Sequence, residues 1–193
     1  MAYTSNSRVR TAEAVIPLHV DGSLRVGIVA DTHSEPHLGG LAHLTALKPD
    51  VILHAGDIGD LGVITKLKDV APVHAVRGNI DSRVDLPDVM TLEFKQGEQR
   101  ALMVMLTHIA VAGPVIRADA AKRARAAKAS LIVCGHSHVP FITQDRGLTL
   151  FNPGSIGPRR FRLPILFGVM QISATGVSLK HIDAETGREW RPT

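Results

Sequence analysis

Seven side chains in this sequence could gather cations. They stand in five short polar stretches: Asp31-Thr32-His33, Gly56-Asp57, Gly78-Asn79-Ile80-Asp81, His108, and Gly135-His136-Ser137-His138. As donors, Asp31, His33, Asp57, Asn79, His108, His136 and His138 offer only oxygen and imidazole nitrogen. That is more than one tetrahedral zinc can use, and it suits two divalent ions that share a carboxylate. Such a donor set accepts Mn, Fe, Zn, Co or Ni, and the residue types do not choose among them. Two ions about 3.5–4 Å apart can clamp a phosphoryl group and lower the pKa of a bound water to about 7. Two carboxylates leave such an ion pair with two positive charges, which one hydroxide and one phosphodiester monoanion would neutralise; a monoester stays open. Each stretch alone is a common turn sequence, and the weight lies in finding them together, each behind an apolar run.

Those runs are the elements that must position the donors. Two strands are expected in "AVIPLHV-DG-SLRVGIVAD", joined as a hairpin at Asp21-Gly22. The second of them, Arg25 to Ala30, ends in Asp31. "PDVILHAGD" is a strand ending at Asp57, "PVHAVRGNID" one ending at Asn79, "ALMVMLTH" one ending at His108, and "SLIVCGHSH" one ending at His136 and His138. Helical patterns are expected from Leu38 to about Lys48, across "DLGVITKLKDV" with an Asp cap, and from roughly Val115 to Ala129. The stretch from Pro140 to Ile182 reads as short strands and turns. Strands alternating with helices imply an α/β fold with a largely parallel sheet, and the strand-rich termini imply a second sheet. In open α/β sheets the C-terminal strand ends build the site. A glycine before Asp57, Asn79 and His136 lets the backbone turn sharply and come close to an ion.

The bulk numbers narrow the function classes. The chain has 193 residues, 45% apolar but only 4% aromatic, and a formal charge of +4. That suits one domain with an aliphatic core. A single Trp and a single Tyr argue against a base-stacking platform, so nucleic acid is not the expected partner. Cys134 is the one cysteine, which precludes an intrachain disulfide and fits a reducing cytosol. No apolar stretch resembles a signal peptide or approaches the roughly 20 residues of a membrane span. Residues 1–24 are expected to form a tail with an extra strand, and residues 25–193 a single domain. Exposed edge strands would allow a homo-oligomer.

The five stretches in this order, with "NPGS" at Asn152 to Ser155, resemble the calcineurin-like metallophosphoesterases, and in particular their small YfcE-like phosphodiesterase branch. The likeness runs from about Arg25 to Lys180. It implies a sandwich of two β-sheets flanked by helices, with two metals at one edge. It implies that Asp31, His33, Asp57 and His138 hold one ion and that Asp57, Asn79, His108 and His136 hold the other. Asp57, Asn79 and Asp81 are then the catalytic groups, with Asp81 orienting the loop. Manganese is expected first, with iron, zinc, nickel or cobalt as alternatives. The activity implied is hydrolysis of a small phosphate ester, foremost a diester, by a metal-held hydroxide. A monoesterase, a nuclease, or a scaffold like the retromer subunit of the same fold are the rivals.

Two positions depart from that pattern. Ile80 stands where many relatives carry a histidine that assists the leaving oxygen, and Ile109 stands where a glycine commonly follows His108. Losing a positioned general acid is worth about 10²–10⁴-fold, so an enzyme of this kind should favour good leaving groups or borrow a donor such as His37. His37, Arg159 and Arg160 are the candidate substrate contacts. His54 and Cys134 are read as packed core residues, and the basic residues between Arg117 and Lys128 as a solvated helix face.

Overall fold

A computed structural model describes residues 9–113 and 115–192. Two six-stranded sheets lie face to face. The first has the order β1-β5-β6-β9-β11-β10, and the second β14-β13-β12-β2-β3-β4. The strands are β1 (Thr11–Pro17), β2 (Leu24–Val29), β3 (Val51–His54), β4 (Val73–Ala75), β5 (Val89–Gln96), β6 (Gln99–Thr107), β7 (Val111–Ala112), β8 (Val115–Ile116), β9 (Leu131–Val133), β10 (Phe141–Asp145), β11 (Leu148–Asn152), β12 (Leu166–Ser173), β13 (Gly176–Asp183) and β14 (Glu189–Trp190). The helices are α1 (Leu38–Ala46), α2 (Gly62–Lys68) and α3 (Ala118–Ala126).

Alternation along each strand explains why the sequence reads as unbroken apolar runs. Val26 and Ile28 of β2, Leu53 of β3, and Val104 and Leu106 of β6 point into the space between the sheets, where Phe94 and Phe151 also lie. Their neighbours point the other way. Val29 and Ile52 meet Leu44 of α1 and Val63 and Leu67 of α2. Met103, Met105 and Ile132 meet Ala120, Ala121 and Ala124 of α3. A strand buried on both faces cannot show a polar alternation. The result is helix, sheet, sheet, helix, the architecture expected of an α/β sandwich.

Several expected details are different. The Asp21-Gly22 turn exists, with Gly22 at φ +75° and its N–H on the His19 carbonyl, but it is not a hairpin. β1 pairs in parallel with β5 of the first sheet, while β2 lies between β12 and β3 of the second. The turn therefore carries the chain across the edge of the sandwich. The parallel ladders are divided: β2-β3-β4 in one sheet, β6-β9-β11 in the other. The third helix is shorter than its pattern, because Val115–Ile116 pairs with Val111–Ala112 as a small ribbon. The β5–β6 hairpin, with Gly97 at its tip, was not singled out by sequence. The expected Asp cap of α2 is not made: Leu61 holds the N-cap position without a side-chain bond, and Asp60, one residue earlier, accepts at Oδ1 from the Gly62 N–H at 2.6 Å in a local turn. Among the described residues no helix is long and apolar enough to cross a membrane.

Phe151 is fully buried between the sheets, and its ring lies with its centroid 4.9 Å from that of His181, tilted by 31°. Truncation of Phe151 to Ala should lower unfolding stability by about 3–5 kcal/mol. Urea titration of the two proteins measures this directly.

Candidate metal centre

The five polar stretches meet at one rim, and the reason is the parallel pairing. β2, β3 and β4 run side by side in one direction, so their C-terminal ends deliver Asp31-His33, Asp57 and Asn79 to the same edge. β6, β9 and β11 do the same from the other sheet for His108, for His136 and His138, and for Asn152. Beyond the strands the loops are stitched together by backbone bonds. The N–H groups of Asp31, His33 and Ser34 donate to the carbonyls of Gly56, Asp57 and Ile58 at 2.8–3.0 Å, and Gly135 N–H donates to the His108 carbonyl at 3.0 Å.

Two groups of donors result: Asp31, His33 and His138, and Asp57, His108 and His136, with the donor atoms of each within 4.8 Å of one another. Asp57 joins them, since Oδ1 lies 3.3 Å from His108 Nε2 and Oδ2 lies 3.8 Å from His33 Nε2. His138 Nε2 is 3.5 Å from Asp31 Oδ1 and 3.3 Å from His33 Nε2. Asp31, Asp57, His108 and His138 are buried, while His136 is at the exposed border.

The residues fit a pair of cations. His108 Nδ1 donates to the Ala55 carbonyl at 2.7 Å, which fixes the tautomer and turns the Nε2 lone pair toward Asp57. That buried Nε2 has no hydrogen-bond partner, an uncommon condition for a buried polar atom. The other buried orphan at the site is His138 Nδ1. His33 Nε2 accepts from the Arg160 guanidinium at 3.1 Å; a guanidinium only donates, so His33 presents a lone pair. Oxygen and imidazole donors in this number match Mn, Fe, Co, Ni or Zn.

The electrostatics agree. Burial pushes the Asp31 carboxyl up to about 7, and the Asp57 charge adds to this. Burial also works to raise Asp57, but contact with His108 and the N–H groups of Ile80 and Asn79 hold it well below the usual carboxylate range. Burial and then Arg160 lower His33 and take His138 down to about 4; burial and then His108 lower His136. Burial works to lower His108, and the Asp57 carboxylate outweighs it and raises the ring. Three rings are thus neutral ligands at neutral pH.

Backbone strain is concentrated here. Asp31, His33, Asp57, His136 and His138 all have φ between +45° and +70°, a left-handed region that L-residues rarely occupy. Such residues persist where surrounding structure over-determines them. The glycines beside them have a more exact reason than flexibility. A Cβ on Gly78 would fall on Asp57 Oδ1, and one on Gly135 would lie 2.9 Å from Asp31 Oδ2. The neighbouring ligand occupies the space that a side chain would need.

The remaining expected site residues fall as follows. Asn79 directs its N–H to Asp57 Oδ1 at 2.6 Å and lines the cavity beside His108. Asp81, expected among the catalytic groups, faces no donor of either cluster with its hydrogen bonds. Its oxygens accept from the N–H groups of Ile58, Gly59 and Gly78 at 2.7–3.1 Å. It is a positioning residue that clamps the Asp57 loop to the Asn79 loop. His37, expected to reach substrate, caps α1 instead, with Nδ1 accepting from the Gly40 N–H at 3.2 Å. Arg159 turns away to the Leu163 carbonyl and Glu185. Arg160 alone of the three candidates touches the cluster. Ile80 is half exposed; its N–H reaches Asp57 Oδ1 at 3.3 Å, but its side chain brings no polar group to the rim.

Three supports surround the ligand loops: the sequence marked "NPGS" without giving it a role, and it read His54 as a packed core residue, as the structure has it. Asn152 donates to the Gly135 carbonyl and to Ser137 Oγ, and Ser155 Oγ donates to the Asp31 carbonyl at 2.9 Å, so "NPGS" braces two ligand loops at once. His54 is fully buried and neutral, lowered to about 3 by burial; it accepts from the Gly56 N–H and faces Thr32 Oγ1 at 3.0 Å. The signal for these was only a polar residue beside a ligand stretch.

A domain description reading "Calcineurin-like phosphoesterase superfamily domain" matches residues 24–175. The chain belongs to that superfamily. A probable metallophosphoesterase of Methanocaldococcus jannaschii is 32% identical over 158 residues, covering 79% of this chain and 77% of the relative. Three solved structures share the fold. Vacuolar protein sorting 29 from Cryptosporidium parvum has a TM-score of 0.70 at 20% identity, covering 88% of this chain and 96% of the other. A novel archaeal phosphodiesterase gives 0.63 at 18%, covering 83% and 99%. The YfcE phosphoesterase of E. coli gives 0.55 at 21%, covering 87% and 97%. At these identities the structures speak for fold alone.

Two outcomes are expected. Asp81→Asn should cost about 1.5–3 kcal/mol in unfolding stability and weaken Mn²⁺ affinity about 10–100-fold, read by urea titration and calorimetry. Because a ligand must shed its proton and Asp31 holds one up to about pH 7, metal uptake should release protons and weaken as pH falls from about 8 to 6. Calorimetry in buffers of different ionisation enthalpy counts the protons.

Proposed function

We propose that the protein is a metal-dependent phosphodiesterase that works with two divalent ions, manganese first among them, on a small phosphate diester in the cytoplasm. One observation carries the reading: the Asp57 carboxylate reaches into both donor groups, as a shared ligand between two ions must. Ions bound there would supply a water of lowered pKa and offset charge on the phosphoryl oxygens. The side chains supply the geometry. Asp31, His33 and His138 would hold one ion, and His108, His136 and Asn79 the other. Arg160 is placed to move from His33 Nε2 onto a phosphate oxygen, where a guanidinium can donate two bonds.

The leaving alcohol needs a proton, and Ile80 cannot give one. His37, the donor that sequence offered in its place, has its Nδ1 engaged at the start of α1. This favours esters whose leaving group departs as an anion. A monoesterase or nuclease of the same fold is the nearest rival, and a non-catalytic scaffold the next. Metal binding alone does not separate an enzyme from a scaffold, whereas turnover does.

The experiment is hydrolysis of bis-p-nitrophenyl and mono-p-nitrophenyl phosphate with Mn²⁺. Diester turnover that falls more than about 100-fold in Asp57→Asn is expected; turnover of monoester alone would overturn the diesterase reading. Ile80→His should raise turnover of a methyl ester with a poor leaving group by up to about 10²-fold while changing bis-p-nitrophenyl phosphate little. Equal rates for Ile80→His and wild type on the poor leaving group would remove the missing-acid account.

A further inference from the structure

The two sides of the rim are unlike. Beside His108 and Asn79 is a cavity of about 230 Å³ lined by charged groups, including Arg77, Arg83, Arg123, Asp88 and Asp119. Beside His136 is a larger one of about 720 Å³. The β7–β8 ribbon forms one wall through Val111 and Ala112, and the start of β10 with its preceding loop forms the other through Val139 and Phe141. His136 and Ser137 close the end nearest the candidate metals. Among the described residues lining it there is no Lys, Arg, Asp or Glu.

Water in such a space makes few hydrogen bonds, and filling it with hydrocarbon is favourable in proportion to the apolar area covered. Its volume lies in the range of ligand sites, about 300–1,000 Å³, whose walls are mainly apolar with a few placed polar groups. Val139 is 45% exposed on that wall, while Val111 and Phe141 are half-buried against the core under α3. The wall is therefore backed by packed structure. The decisive feature is continuity: His136 belongs both to the Asp57–His108–His136 donor group and to the cavity lining. A molecule seated across His136 has an anion at one end and an apolar body at the other.

We infer that this cavity seats a bulky apolar ester group of the substrate, with its phosphate held at the adjoining donor cluster. The inference rests on the phosphodiesterase reading and names the substrate class. Water adds across one P–O ester bond, that bond breaks, and a phosphate monoester and an alcohol result; the apolar group stays on one of these products. Small esters such as dimethyl phosphate leave the cavity unfilled, so they gain nothing from it.

The test separates the cavity from the chemistry by using ligands that cannot be hydrolysed. Calorimetry on the Mn²⁺-loaded full chain gives the Kd of methylphosphonate and of 1-naphthylmethylphosphonate. The naphthyl compound is expected to bind at least tenfold more tightly. Ala112→Trp, which fills the cavity from the exposed ribbon, should abolish that preference and leave the Kd of methylphosphonate within twofold of wild type. Val139→Asn should reduce the preference without filling the space. Equal affinities in the wild type, as a second copy covering the cavity would produce, overturn the inference, and so does a preference that survives Ala112→Trp. Absence of bis-p-nitrophenyl phosphate turnover with the naphthyl preference intact would sink the enzymatic reading and keep the subsite.

Discussion

The carboxylate of Asp57 is the point through which the two halves of the rim are connected. It receives N–H groups from Asn79 and Ile80, lies against His108, and faces His33. The Asp57 residue itself sits at φ +53°. The packing around it follows from that one placement. Gly78 must lack a side chain because Asp57 Oδ1 is there. Asp81 must hold the turn closed, because the chain between Ile58 and Gly59 has no sheet partner to satisfy its N–H groups. Concentrated negative charge at a buried point is costly without compensation, and the N–H groups of Asn79 and Ile80 together with the His108 ring provide it.

The cost of the arrangement is carried by the sandwich. Five ligand residues in left-handed backbone are each worth about 1–3 kcal/mol of strain, and Asp31 is buried where its charged form is disfavoured. None of these features is stable by itself. They hold because each loop is anchored at the end of a strand covered on both faces, and because Asn152, Ser155 and Asp81 tie the loops to one another. A bound cation would act in the same direction, drawing together ring nitrogens that already lie close, such as His33 Nε2 and His138 Nε2 at 3.3 Å.

The roles of four expected residues show what spacing can and cannot convey. His37, four residues from His33 in the chain, spends its Nδ1 on the first turn of α1. Arg159 and Arg160 are adjacent, yet one pairs with Glu185 and the other with His33. Consecutive side chains in a loop leave the backbone in different directions, so neighbourhood in sequence does not make them share a ligand. Asp81 carried the right charge for catalysis but is consumed by four amide contacts.

Sequence alone determined the residue types at the rim and an α/β chain with two sheets, because doubly buried strands must be apolar along their length and ligand stretches must interrupt them with polar residues and glycines; the sandwich flanked by helices and the family followed from the likeness of the five stretches to known metallophosphoesterases. It also marked Ile80 as a position without a proton to give. The tertiary structure decided which sheet each strand joins, so that the Asp21-Gly22 turn crosses the sandwich instead of closing a hairpin. It decided the brace made by Asn152 and Ser155, the turning of Arg159 away from the donors, and the apolar cavity beside His136. These depend on contacts between residues tens to more than a hundred positions apart, and local propensity and periodicity carry no information over that distance.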